Sequence, residues 1–114
     1  MKKVLIITSL LFSSCTLANS AADCFDQADK KAGLKYRIAL CSGSMNLEPV
    51  ICYNEFKATK LRNTAYAVGL CRGVKTQEDT RNRLACFESL NGRSPGWSQQ
   101  KIELCNVHAA EFFK

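Results

Sequence analysis

The residues of this chain best suited to chemistry are its cysteines, of which the 114-residue sequence holds seven. Six form three similar segments, each opened by a cysteine and an aromatic residue and closed by Leu-Cys: Cys24–Cys41, Cys52–Cys71 and Cys86–Cys105. The separations within the segments are 17, 19 and 19 residues. Zinc sites and redox thiols use close pairs such as C-x-x-C, which are absent here. An even number of widely spaced cysteines in a small exported chain predicts three disulfides.

Other side chains do not form a recognisable catalytic constellation. His108 is the single histidine, and it lies between Val107 and Ala109 with no acidic neighbour to orient it. The sequence has no G-x-S-x-G motif, no glycine loop for phosphate and no calcium loop. We therefore predict that the protein is not an enzyme and that it uses no metal and no cofactor.

The first 20 residues have the pattern of a secretory signal peptide. Lys2 and Lys3 precede the short apolar run Val4–Phe12, and the small residues Ala18 and Ser20 follow it. The run is too short to cross a bilayer, and no later segment is apolar enough to do so. We predict a signal peptide at 1–20 and one disulfide-rich helical domain at 21–114, secreted or periplasmic. An alternative is a lipoprotein anchored at Cys15.

The elements that must position the cysteines are predicted to be helices. Helix starts are indicated by Pro49, which suits a first helical turn, and by residues that can cap a helix. The capping residues are Asn63, Thr76 with Asp79, and Ser98. Helix ends are indicated by glycine and asparagine: Gly43, Gly73 and Asn91-Gly92. Ile102, Leu104, Val107 and Phe112 have helical spacing in one final helix. Sustained period-two alternation is absent, so six helices in three antiparallel pairs are expected.

The helical hairpins suggest a pairing for the cysteines. The start of the first helix in an antiparallel hairpin lies beside the end of the second. The predicted disulfides are therefore Cys24–Cys41, Cys52–Cys71 and Cys86–Cys105. A rival pattern links neighbouring hairpins through Cys41–Cys52 and Cys71–Cys86, with Cys24–Cys105. The predicted fold is all-α: three disulfide-stapled antiparallel helical hairpins, stacked as a small bundle or short solenoid.

The first junction between the segments resembles a known cysteine repeat. The stretch "ALCSGSMNLEPVICY" is similar to the Leu-Cys-x-Gly … Pro-x-x-Cys-aromatic repeats of small exported proteins from Gram-negative bacteria. The second junction, "GLCRGVKTQEDTRNRLACF", keeps the motif without the proline. The resemblance implies disulfide-linked helix pairs. A looser similarity to small helical type II secretion effectors of bacteria that infect amoebae and macrophages implies virulence functions, and some of those effectors bind phosphoinositides.

The charge of the chain is concentrated at the turns inside the hairpins. The formal net charge is +6, and it is +4 without Lys2 and Lys3, because 14 of the 16 basic residues then remain against 10 acidic ones. The closed ends of the hairpins, here called the tips, carry three groups: Lys30, Lys31 and Lys35; Lys57, Lys60 and Arg62; and Arg93 with Trp97. Stacked hairpins would bring these groups to one edge. The alternative is an ordinary solvated rim.

These patterns favour a binding protein. We expect a secreted, non-enzymatic module or effector that recognises phosphoinositide or other anionic membrane headgroups through its basic tips. Trp97 would then lie at the membrane interface. Nucleic acid is disfavoured because there is no basic groove interleaved with aromatic residues. The alternative is a protein–protein interaction module, an inhibitor or an accessory factor, that contacts a host protein through apolar and aromatic faces.

Overall fold

The computed structural model describes residues 20–59, 63–93, 96 and 98–114. These ranges contain seven α-helices, one 3₁₀ turn at Lys30–Ala32, and no β-strand. The α-helices are α1 (Ala21–Gln27), α2 (Leu34–Cys41), α3 (Glu48–Thr59), α4 (Thr64–Cys71), α5 (Gln77–Arg93), α6 (Ser98–Cys105) and α7 (Ala109–Phe113). The predicted all-α class is therefore confirmed. The predicted signal peptide and the Cys15 alternative fall on residues 1–19, outside the described residues.

Three disulfides close three antiparallel hairpins, as predicted. Cys24–Cys41 joins α1 to α2, Cys52–Cys71 joins α3 to α4, and Cys86–Cys105 joins α5 to α6. The Cα–Cα distances are 5.6, 5.5 and 5.8 Å, within the ordinary range for a disulfide. The rival pattern between neighbouring hairpins is wrong.

The caps predicted at Asn63 and at Thr76 with Asp79 are present, whereas Ser98 is itself the first residue of α6. The Asn63 side chain caps α4 by accepting the N–H of Tyr66 at 3.0 Å. At the start of α5, the Thr76 hydroxyl accepts the N–H of Asp79 at 3.0 Å, and the Asp79 carboxylate accepts the N–H groups of Lys75 and Thr76. The hydrogen bond from Lys75, with that from Thr76, holds the pKa of Asp79 below its usual value. These caps satisfy N–H groups that a helix leaves without internal partners.

Two of the three predicted helix ends are confirmed and one is wrong. Gly43 and Gly73 follow α2 and α4 with φ of 73° and 82°, the left-handed conformation that glycine adopts without strain. The predicted stop at Asn91-Gly92 is wrong, because α5 continues to Arg93. The Asn91 side chain instead accepts a hydrogen bond from the Lys101 ammonium at 3.1 Å, so Asn91 connects α5 to α6 within a continuing helix.

The predicted single final helix is divided at Asn106. This residue is 2 % exposed, and its side-chain amide donates to the carbonyls of Gly69, Leu70 and Arg72 at 2.7, 3.3 and 3.1 Å. Its side-chain oxygen accepts the N–H of His108 at 3.0 Å. Side-chain bonds to backbone groups compete with helix continuation, so α6 ends before Asn106 and α7 begins after it. Leu104 and Val107, whose spacing suggested a buried face, are 73 % and 81 % exposed.

Asn106 should therefore be a strong determinant of stability. Asn106→Leu removes the donor to three carbonyls at the buried end of α4 and leaves them without that partner. We expect a loss of about 3 kcal/mol in the free energy of unfolding, measured by urea denaturation. Asn54→Leu, an identical change on the exposed side of α3, should alter stability by about 0.5 kcal/mol or less. Equal effects of the two variants would contradict this role.

The core is organised around α4, which packs against α2, α3, α5, α6 and α7. Its five consecutive residues from Ala67 to Cys71 are buried. A Cβ added at Gly69 would lie 2.7 Å from the Phe113 ring, so glycine allows α7 to approach α4 closely. Phe56 and Phe87 meet edge to face at 5.2 Å between centroids. No helix within the described ranges is long and apolar enough to cross a bilayer.

Candidate functional site at the hairpin tips

The structure places five of the eight predicted ligand-binding residues. Lys30 and Lys31 lie in the 3₁₀ turn between α1 and α2, and Lys35 lies in the first turn of α2; all three are exposed. Lys57 is half-buried in the last turn of α3, and Arg93 is exposed at the end of α5. The remaining predictions fall outside the described residues: Lys60, Arg62 and Trp97.

Asp29 joins the first tip to the second. One of its carboxylate oxygens accepts the N–H of Lys31 at 3.0 Å, and the other accepts the hydroxyl of Tyr53 at 3.1 Å. The Tyr53 ring in turn lies 5.5 Å from the Lys57 ammonium. Lys31 and Lys57 are therefore held at the same end of the molecule. Burial of Tyr53 raises the pKa of its hydroxyl and Asp29 raises it further, so the hydroxyl remains a donor.

The third tip lies at the same end because α3 and α5 run parallel. Near their starts, the Thr80 hydroxyl donates to the Glu48 carboxylate at 3.0 Å. Further along, Phe56 contacts Phe87. The paired residues differ by 32 and 31 positions, so the end of α3 lies level with residues 90–91 of α5. Arg93 follows within one turn of that level, at the same end of the molecule as Lys57.

The lysines of the first two tips are partly oriented by their own hairpins. The Lys57 ammonium donates to the Thr64 hydroxyl at 3.0 Å, across the turn from α3 to α4. The Lys30 ammonium donates to the carbonyl of Asp26 at 3.3 Å. An ammonium has three donors, so one such contact positions the charge without consuming its capacity to bind an anion.

Two charged residues near the tips have positions that were not predicted from the sequence. Lys101 is 4 % exposed and donates to Asn91, so it supports the third hairpin and is inaccessible to a ligand. Its surroundings in the sequence, Gln99-Gln100-Lys101, gave no signal of burial. Glu88 is an exposed acid about level with Lys57 on α5, and it reduces the positive potential there.

The described tip residues present an open array of positive charge. Lys30, Lys31, Lys35 and Arg93 are exposed, and none of them lines the five cavities described for residues 20–59, 63–93, 96 and 98–114. No group of three or more histidine, cysteine or acidic side chains in the described ranges could hold a metal ion. An open array of cations matches an extended anionic surface better than an enclosed small molecule.

Comparison with known proteins gives no assignment. No protein-family model, no curated protein and no solved structure matches this chain.

Proposed function

We propose that this protein is a non-enzymatic binding module that recognises anionic membrane headgroups, most concretely phosphoinositides, through its basic tips. The observation that carries the proposal is the path from Lys31 through Asp29 and Tyr53 to Lys57, which keeps two tips adjacent. The parallel packing of α3 and α5 supports it, because Arg93 then lies at the same end.

The magnitude of the attraction favours a densely charged headgroup. A basic residue near an anionic leaflet contributes about 1 kcal/mol, so the five described tip residues give about 5 kcal/mol. That corresponds to a Kd of roughly 0.2 mM, so binding to lipids that carry a single charge would be weak. Headgroups with several phosphates let one lipid contact several cations at once. Lys60, Arg62 and Trp97, which belong to the same turns in the sequence, would add to this affinity.

The proposed site of action is outside the reducing cytosol. The three disulfides are typical of an oxidising extracellular or periplasmic compartment. Export through an N-terminal signal and action as a secreted effector on host membranes are consistent with this chemistry. The sequence resemblance to small exported proteins of Gram-negative bacteria supports the same proposal.

Salt dependence tests the electrostatic basis of the proposal. The purified, oxidised protein is mixed with phosphatidylcholine vesicles that contain a phosphorylated inositol lipid, and the bound fraction is measured by sedimentation. Raising the salt from about 0.1 M to about 1 M shortens the Debye length from about 10 to about 3 Å, so binding should be nearly abolished. Vesicles of phosphatidylcholine alone should bind little at either salt concentration. Binding that persists at high salt would contradict a charge-based site.

One observation favours a protein partner as a second candidate function. Leu34 and Ile38 lie one turn apart on α2 and are 64 % and 50 % exposed. Ile38 also lines an open apolar cavity of about 220 Å³ together with Ala21 and Phe25 of α1. A protein bound to this face would be held by apolar contact, and its binding would change little with salt.

A further inference from the structure

The end of the molecule opposite the tips contains a groove built from the three segments that follow Leu-Cys. Two cavities of about 310 and 250 Å³ share four lining residues, Ser42, Gly43, Gly73 and Lys75, so they lie side by side and together form the groove. The segment after Cys41 and the segment after Cys71 line both cavities. His108, from the segment after Cys105, lines the second one.

The walls of the groove are held in place by contacts between the segments. The Asn46 side-chain amide donates to the carbonyl of Lys75 at 2.9 Å, which ties the first segment to the second. Asn106 ties the third segment to the end of α4. A Cβ at Gly73 would lie 3.3 Å from the His108 ring, so the glycine keeps the two segments close without filling the space. The groove is therefore preformed.

The charged side chains of the groove keep unused hydrogen-bond donors. The Arg72 guanidinium lies 5.5 Å from the Phe112 ring centroid. No hydrogen bond or ion pair connects the side chains of Arg72 or Lys75 to any other described residue. Glu111 is the only acid that lines the second cavity, so the two positive side chains, Arg72 and Lys75, outnumber the negative ones there. Such donors strongly favour a phosphate or carboxylate group.

The same groove has an apolar part. Met45, which is 75 % exposed, and the buried Val74 line the first cavity next to the shared glycines. Ligand sites generally combine an apolar wall with a few polar groups that fix orientation, in a volume of about 300 Å³ or more. The groove meets that description at the small end of the range.

We propose that this groove binds a small soluble organic anion, with its oxyanion group on Arg72 and Lys75 and its apolar part against Met45 and Val74. The antiparallel hairpins place the groove and the tips at opposite ends, so a membrane bound at the tips would leave the groove facing water. The site is therefore independent of the proposed function, and its ligand comes from solution and not from the lipid surface.

The first test locates the ligand by nuclear magnetic resonance, with backbone amide shifts of the oxidised protein followed during titration. The probes are phenyl phosphate, benzoate and the neutral analogue benzyl alcohol. Saturable shifts confined to residues 42–46, 72–75 and 108–111 are expected with phenyl phosphate or benzoate, and the stronger of the two identifies the oxyanion. Benzyl alcohol should bind at least tenfold more weakly, because it lacks the charged hydrogen bonds. Shifts centred on Lys30 and Lys31, or equal binding of benzyl alcohol, would overturn the proposal.

The second test compares two variants with the same change in charge. Arg72→Gln with Lys75→Gln should weaken binding of the preferred anion at least tenfold, since each charged hydrogen bond contributes about this factor. Lys30→Gln with Lys31→Gln, at the opposite end, should leave that binding unchanged and weaken only vesicle binding. Equal loss in both variants would overturn the groove site. If the variant with Arg72→Gln and Lys75→Gln loses its helical circular dichroism signal, the amide shifts of the unmodified protein in the first test are used to judge the proposal.

Discussion

Binding to vesicles that contain phosphorylated inositol lipids is expected to fall by about three orders of magnitude when Lys30→Glu, Lys31→Glu and Lys57→Gln are combined. The variant loses three attractive contacts of about 1 kcal/mol each and gains two repulsive ones, a change of roughly 4–5 kcal/mol. Vesicle sedimentation at low salt measures it.

The tip variant is designed to keep its fold. Lys30 and Lys31 are exposed, and exposed substitutions usually change stability by about 0.5 kcal/mol or less. Lys57 is half-buried and donates to the Thr64 hydroxyl, so glutamine, which also donates, is chosen there in place of glutamate. Circular dichroism should therefore show the same helical signal and the same thermal midpoint within a few degrees.

The control must change the charge equally at a place away from the tips. Arg83 also lies outside the tips, but it is not a suitable control. Its half-buried guanidinium donates to the carbonyls of Leu70 and Arg72 at 3.1 and 2.6 Å, and burial lowers its pKa. It supports the end of α4, so replacing it would test stability instead of binding.

Arg81→Glu, Lys114→Glu and Lys75→Gln form a suitable control variant. All three residues are exposed and lie outside the tips, and the charge change equals that of the tip variant. We expect at most a tenfold loss of vesicle binding from this set. Equal loss from both variants would mean general attraction without a site. Undiminished binding by the folded tip variant would contradict the anionic-ligand proposal and favour a protein partner.

Removing the Cys52–Cys71 disulfide by alanine substitution of both cysteines is expected to lower the free energy of unfolding by about 5 kcal/mol. Releasing a loop of 19 residues accounts for about 3 kcal/mol in the chain-entropy model. Both cysteines are fully buried, so truncation also leaves unfilled space beside α4, which costs about 1 kcal/mol per site. Guanidinium denaturation followed by circular dichroism measures the loss.

The Cys86–Cys105 disulfide provides the matched control, because it closes a loop of the same 19 residues. Its cysteines are only partly buried, so the space left by truncation is open to water. Its removal should therefore cost about 3 kcal/mol, the loop contribution alone. A loss equal to or greater than that of the Cys52–Cys71 variant would show that burial of the central disulfide does not add to stability.

The sequence by itself determined the features that depend on neighbouring residues. The caps at Asn63 and at Thr76 with Asp79 follow from side chains that reach N–H groups three residues away. The disulfide pairing follows almost as directly, since a hairpin brings its two outer ends together whatever surrounds it. The positions of the tip residues at hairpin turns are predictable for the same reason.

Only the tertiary structure decided the features that join distant parts of the chain. The division of the last helix depends on carbonyls of α4 more than 30 residues before Asn106, and no local pattern encodes such partners. The contact between Asp29 and Tyr53 and the parallel register of α3 and α5 bring Lys31, Lys57 and Arg93 to one end of the molecule, although these residues are far apart in the sequence. The groove arises in the same way, because three similar turns form a cavity only when the hairpins pack around α4.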